Sequence, residues 1–169
     1  MNCQVMGLLE ILRLNTQLFK RCMDGLSDET ARMRPNPESY SAAFLAAHLV
    51  DSRHCLARML GEEKPNRLHD ARQTVATVVE RQNEPPLAEI IRAWQEVSRS
   101  LGRRLTSLTA ADLKSPSAER FPVEDGSLFG SIVFLLHHES YHIGQLALVR
   151  KYFGVGAVRY GHRAFLSEM

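Results

Sequence analysis

His138 and His142 stand four residues apart in a proline-free stretch, from about Ser127 to Phe153, whose apolar residues recur at helical spacing. On a helix, that spacing stacks two imidazoles on one face, one turn apart, where both can reach a single cation. A chain with seven histidines also produces such a pair by chance. Position adds weight: both rings fall on the stripe that runs through Ser131, Leu135, Gln145, Leu146 and Val149, so both are expected to point inward. Burying two neutral imidazoles without partners is costly, so either a metal ion or a set of hydrogen bonds must satisfy them. His48 is the third candidate, on the stripe of Phe44, Leu45, Ser52, Cys55 and Met59. On its own it reads as a hydrogen-bonded core histidine. With the pair, it completes a face of three nitrogen donors from two helices with coordination positions left open, as in catalytic rather than closed structural sites. An all-imidazole set suits zinc, nickel, iron(II) or copper(II).

Other residues have roles that the sequence leaves open. Glu139 flanks the ligand face and is either a general base near the metal or a surface or interface carboxylate, the second being preferred. Gln145, one turn beyond His142, can hydrogen-bond a ligand from behind or meet a partner helix. Asn15 interrupts an apolar stripe and is expected to make a structural hydrogen bond. Cys55 is read as core. His137 points away from the stripe, toward solvent or a subunit contact. His54 lies off its helix's core face, His69 sits in an irregular connector and His162 in the tail.

Four amphipathic segments must position these groups. The first runs from about Gln4 to Leu26, with Leu8, Ile11, Leu12, Leu18, Phe19 and Cys22 on one face; Pro35 and Pro37 keep the following connector from being helical. The second starts at Ser39 to Ser41, where a serine can cap it, and ends near Gly61. The third spans about Leu87 to Leu108 and the fourth about Ser127 to Phe153, with Gly154 to stop it. Residues 62–86 form a long, proline-bearing connector with room for a short helix between about Asp70 and Gln82. The expectation is an all-α, single-domain four-helix bundle, its long second connector permitting an up-down-down-up order.

Composition removes several function classes. The 169 residues suit one domain, and 21 basic against 19 acidic residues leave no charge excess for nucleic acid. Arg99, Arg103 and Arg104 read as the solvated face of a helix. Three cysteines without CxxC spacing argue against a disulfide framework and fit a reducing compartment. The first residues lack a basic leader and no apolar run could span a bilayer, so a cytoplasmic location is expected.

These residues also resemble a known family. The run from Val123 to Leu128, through His137 to Gln145 and on to Arg150–Gly154, is similar to the last helix of the DinB-like, damage-inducible superfamily, a group that includes thiol-dependent S-transferases. The run Ser41–Leu49 resembles that family's second-helix histidine segment, and Pro86 to Leu113 its third helix; the resemblance is weakest over 62–85. It implies that His48, His138 and His142 are the metal ligands of an up-down-down-up bundle, often a homodimer. It also implies a divalent transition metal (Zn, Ni or Fe) and a low-molecular-weight thiol such as bacillithiol, mycothiol or glutathione as cosubstrate. The functional expectation is a metal-dependent thiol transferase or hydrolase-like enzyme acting on a small electrophile, without nucleic-acid or membrane partners. A non-catalytic metal-binding stress or interaction protein is the alternative.

Overall fold

The computed structural model describes residues 2–62, 65–68 and 84–159. Among them are six helices: α1 (Cys3–Met23), α2 (Asp28–Arg32), α3 (Ala42–Met59), α4 (Leu87–Thr106), α5 (Ala110–Lys114) and α6 (Leu128–Tyr152). The protein is all-helical, as its periodicity predicts. The short helix expected between Asp70 and Gln82 lies outside the described residues.

Local chemistry sets the ends of the helices that matter for the site. At α3 the Ser41 hydroxyl accepts from the Phe44 N–H at 3.1 Å, satisfying one of the orphan donors of the first turn. The alanines at 42, 43, 46 and 47 then sustain the helix at little entropic cost. Gly61 closes it in a left-handed conformation (φ 81°), and Glu62 N–H donates back to Ala57 C=O at 2.9 Å. At α6 Ser127 caps Gly130 N–H at 3.3 Å. Residue 130 must be glycine, because a Cβ there would sit 2.1 Å from the Asp125 carbonyl oxygen. Gly154 (φ 78°) ends this helix.

The two five-residue helices correct the reading of those stretches as plain connectors. Five residues carry no apolar period, and only their caps signal them. Ser27 caps Thr30 N–H at 3.0 Å, and Thr109 with Asp112 forms a reciprocal capping box. Helix α2 also serves α4: Leu87 N–H, the first orphan donor of α4, donates to the Asp28 carboxylate at 2.8 Å.

The four long helices form a ring in which α1 and α3 each touch α4 and α6. Asn15 reaches Leu136 and Cys22 reaches Ile143, so α1 and α6 run in the same direction. Arg53 reaches Ser98 and the Leu60 carbonyl meets Arg104, so α3 and α4 also run together. The core has two apolar parts. One gathers Phe19, Leu45, Leu49, Trp94 and Leu146; the other gathers Leu8, Leu12, Leu56, Leu101 and Ile132. Ile11, expected on the buried stripe of α1, is 43% exposed, while Val5 and Leu9 are buried in its place.

Candidate metal centre

His48 on α3 and the His138/His142 pair on α6 meet at the groove between those helices. Each offers one ring nitrogen, and the three nitrogens lie within 4.8 Å of one another. His48 Nε2 and His138 Nε2 are 3.0 Å apart. The ring centroids are separated by 5.2 Å (48–138), 4.7 Å (48–142) and 4.3 Å (138–142), with each pair of rings near perpendicular. Two imine nitrogens cannot face each other at that distance unless one carries a proton or a cation stands between them. Nitrogen donors alone, from two helices, fit a divalent transition metal.

The tautomer of His142 is fixed from behind. Its Nδ1 lies 2.7 Å from Gln145 Oε1, and a carbonyl oxygen only accepts, so Nδ1 carries the hydrogen and Nε2 keeps the lone pair. Gln145 is oriented in turn: its Nε2 donates to the Tyr141 hydroxyl at 3.3 Å. Burial, with smaller contributions from His142 and His137, pushes the proton affinity of His138 below the ordinary histidine value. A neutral imidazole is the form that binds metal. Aromatic rings wall the three histidines. Phe44 stacks beside His48 with centroids 6.3 Å apart, Phe134 beside His138 at 6.0 Å, and Tyr141 meets His142 edge-on at 5.1 Å.

The histidines do not occupy the middle of the inward face of α6. They are half-buried on its flank, and the middle belongs to Ile132, Leu135, Leu136, Glu139, Ile143 and Leu146. Glu139 is therefore corrected: it is no surface or interface carboxylate but is 1% exposed. The reason is that α6 is apolar around most of its circumference, so its period does not single out one face. Glu139 pairs with Arg53, which is fully buried, through bonds of 2.8 Å and 3.1 Å. Arg53 also donates to Thr16 Oγ1 at 2.8 Å, to Leu12 C=O at 3.3 Å and to Ser98 Oγ. These five bonds use all five N–H groups of a guanidinium, and its carbon lies 3.4 Å from the centre of the Trp94 ring. Asn15 donates to Glu139 at 3.3 Å and to Leu136 C=O at 3.0 Å, the structural role read for it.

Sequence reasoning missed Arg53. Its one available signal was an arginine in a helix otherwise rich in alanine and leucine, with a polar Asn15 on the inward stripe of another helix. Cys55, read as core, is half-buried. His137 is exposed as expected, and His54 is half-buried beside a separate surface cleft. His69 and His162 lie outside the described residues.

The DinB superfamily profile matches residues 11–146. No curated protein sequence matches the chain. Among solved structures, a DinB-like protein from Bacillus cereus ATCC 10987 superposes with a TM-score of 0.69 at 16% identity, over 93% of this chain and 97% of that one. A DinB-like protein from Bacillus subtilis (YjoA) gives 0.61 at 18% identity, over 94% and 96%. At such identities the likeness concerns the fold alone. No helix among the described residues is long and apolar enough to cross a membrane.

Proposed function

The chain belongs to the DinB superfamily, and on that premise we propose that it is a metal-dependent enzyme joining a small thiol to an electrophilic organic substrate. His48, His138 and His142 are the ligands of its divalent transition-metal ion. The observation that carries this reading is the convergence of three half-buried imidazole nitrogens, with no carboxylate or thiol completing the group among the described residues. Three protein donors leave positions for small molecules. A divalent ion held there supplies Lewis acidity, which lowers the pKa of a thiol or a water molecule.

The protein's own residues do the rest. Gln145 presents the lone pair of His142 Nε2 toward the centre. The desolvated surroundings keep His138 neutral at ordinary pH. Phe44 and Phe134 flank the rings and restrict water around them. Glu139 contributes by position: its carboxylate holds Arg53 and, through it, the helices on which the histidines stand.

The test uses untagged protein purified without chelator. Metal analysis is expected to find close to one divalent ion per chain, lost in His138→Ala and His142→Ala. Conjugation of electrophiles with glutathione, bacillithiol and mycothiol is then measured, with hydrolysis followed in parallel. Activity should need the metal and vanish in the same variants. Full turnover in those variants rules out a catalytic role for the ion. Retained metal with no thiol conjugation and no hydrolysis across the panel favours a non-catalytic metal-binding protein.

A further inference from the structure

Next to the histidines, in the same groove between α3 and α6, lies a concavity of about 360 Å³ that the proposed chemistry has not used. Its lining includes Pro35, Tyr40, Leu45, Gln145, Leu148 and Tyr152, and none of the described residues that line it carries a charge. Leu148 and Tyr152 form its outer rim and are 68% and 64% exposed. That is much apolar surface to leave in water on one helix face. The Tyr152 hydroxyl donates to the Pro35 carbonyl at 3.5 Å, linking the end of α6 to the loop before α3.

Two lines of contact join this cavity to the candidate metal centre. Gln145 lines the cavity and also accepts from His142 Nδ1 at 2.7 Å. Tyr40 lines it from the other side and stacks on Phe44 (centroids 4.6 Å, planes 6° apart). Phe44 in turn lies parallel to His48 at 7°. The cavity therefore begins one helical turn from two of the three imidazoles. A volume near the lower end of the range for small-molecule sites, with a mainly apolar lining, the Gln145 amide and the hydroxyls of Ser39, Tyr40 and Tyr152, suits a neutral ring or short alkyl chain.

We propose that this cavity is the subsite for the apolar body of the substrate, so that the enzyme takes neutral aromatic or aliphatic electrophiles in preference to charged ones. The assignment of the occupant as substrate rests on the metalloenzyme reading; the binding of a neutral apolar molecule does not. A protein partner is less well matched, because the feature is a concavity one helical turn from the histidines rather than a flat stripe.

The probe is 1-naphthol, titrated into the full-length chain by calorimetry and by NMR of the glutamine side-chain amides. Wild-type protein should bind it, with a shift in the Gln145 amide signals. Leu148→Asp, which places a charge on the rim, should weaken binding by about tenfold. Val133→Asp, at an exposed position elsewhere on α6, should leave it unchanged. Metal content should be the same in all three proteins, so loss of naphthol binding is separable from loss of the centre. Equally, His138→Ala should lose metal and keep naphthol, so failure of the metal reading does not register as failure of the cavity. Absence of binding, equal binding by Leu148→Asp, or binding without a shift at Gln145 overturns the proposal. So does a dimer that Leu148→Asp dissociates while naphthol affinity stays the same.

Discussion

Two polar clusters meet along α6, and adjacent residues feed both: Glu139 enters the buried Arg53 network and His138 the half-buried imidazole group on the flank. Around Arg53, itself on α3, every donor has an acceptor, drawn from α1, α4 and α6, and the pair is closed to solvent. At the histidines, nitrogens converge on one another from two helices in a half-buried groove. A network that satisfies itself rigidifies a fold. A set of donors whose natural partner is a cation is instead suited to receive one. The first cluster also separates the two apolar parts of the core, so it fixes how the helices align. The second depends on that alignment, since His48 must arrive opposite His138 and His142.

Breaking the closed cluster should cost most. Glu139→Ala leaves a buried guanidinium uncompensated and is expected to destabilise the protein by about 3–5 kcal/mol in urea unfolding. The double variant Arg53→Met/Glu139→Leu should lose far less, because it removes both charges. If single and double variants lose the same amount, the pair is not the closed unit described. Opening the other cluster should behave in the opposite way. His142→Ala should leave the metal-free protein near wild-type stability. What it should remove is the stabilisation by added metal, about 2.7 kcal/mol at a hundredfold excess over Kd, read as a thermal shift with and without zinc.

A smaller effect is expected behind the ligands. Gln145→Leu should weaken metal binding by about ten- to a hundredfold, with Gln145→Glu restoring much of it by supplying an acceptor to Nδ1. The smallest test extends the comparison to the Cys22 thiol, which sits in a third polar group at the end of the bundle. Its sulfur faces the Ile143 carbonyl at 3.9 Å, and its own carbonyl accepts from Arg150 at 2.9 Å. Burial pushes this thiol up from 9.0 to about 11, with Arg150 opposing and Asp24 assisting. The folded state thus keeps a proton that the unfolded chain releases above pH 9.0. That contribution is whole below 9.0 and is lost as pH climbs toward 11. Stability measured across this interval should fall less steeply in Cys22→Ala than in wild type, and a parallel fall would show the thiol is not involved.

The bundle was legible because its four long segments are proline-free and rich in apolar residues at helical spacing, and two of them, α3 and α6, carry a serine at one end and a glycine at the other. Ser41, Gly61, Ser127 and Gly154 mark helix ends within a residue or two of where the backbone turns. Helices α2 and α5 were illegible for the opposite reason: five residues are too few for a period. The i, i+4 histidine pair was legible as a pair. Its partner His48 could only be nominated, because nothing in a linear pattern says which helices adjoin. The facing of α6 is not legible, since a helix apolar on most sides offers no unique inward stripe; its sequence pattern sets the histidines at the centre and Glu139 at the edge, the reverse of the packing.

The residue types themselves determined the helical class, the caps and the supply of imidazoles, because each of these depends on neighbours within about one turn of chain. Tertiary structure alone decided that residues ninety positions apart bring Nε2 atoms to 3.0 Å, that Arg53 finds an acceptor for each of its N–H groups, and that a mainly apolar cavity opens near the histidines. Those outcomes arise from helix pairing and rotation, which depend on how four surfaces pack together and so are not written in any one segment.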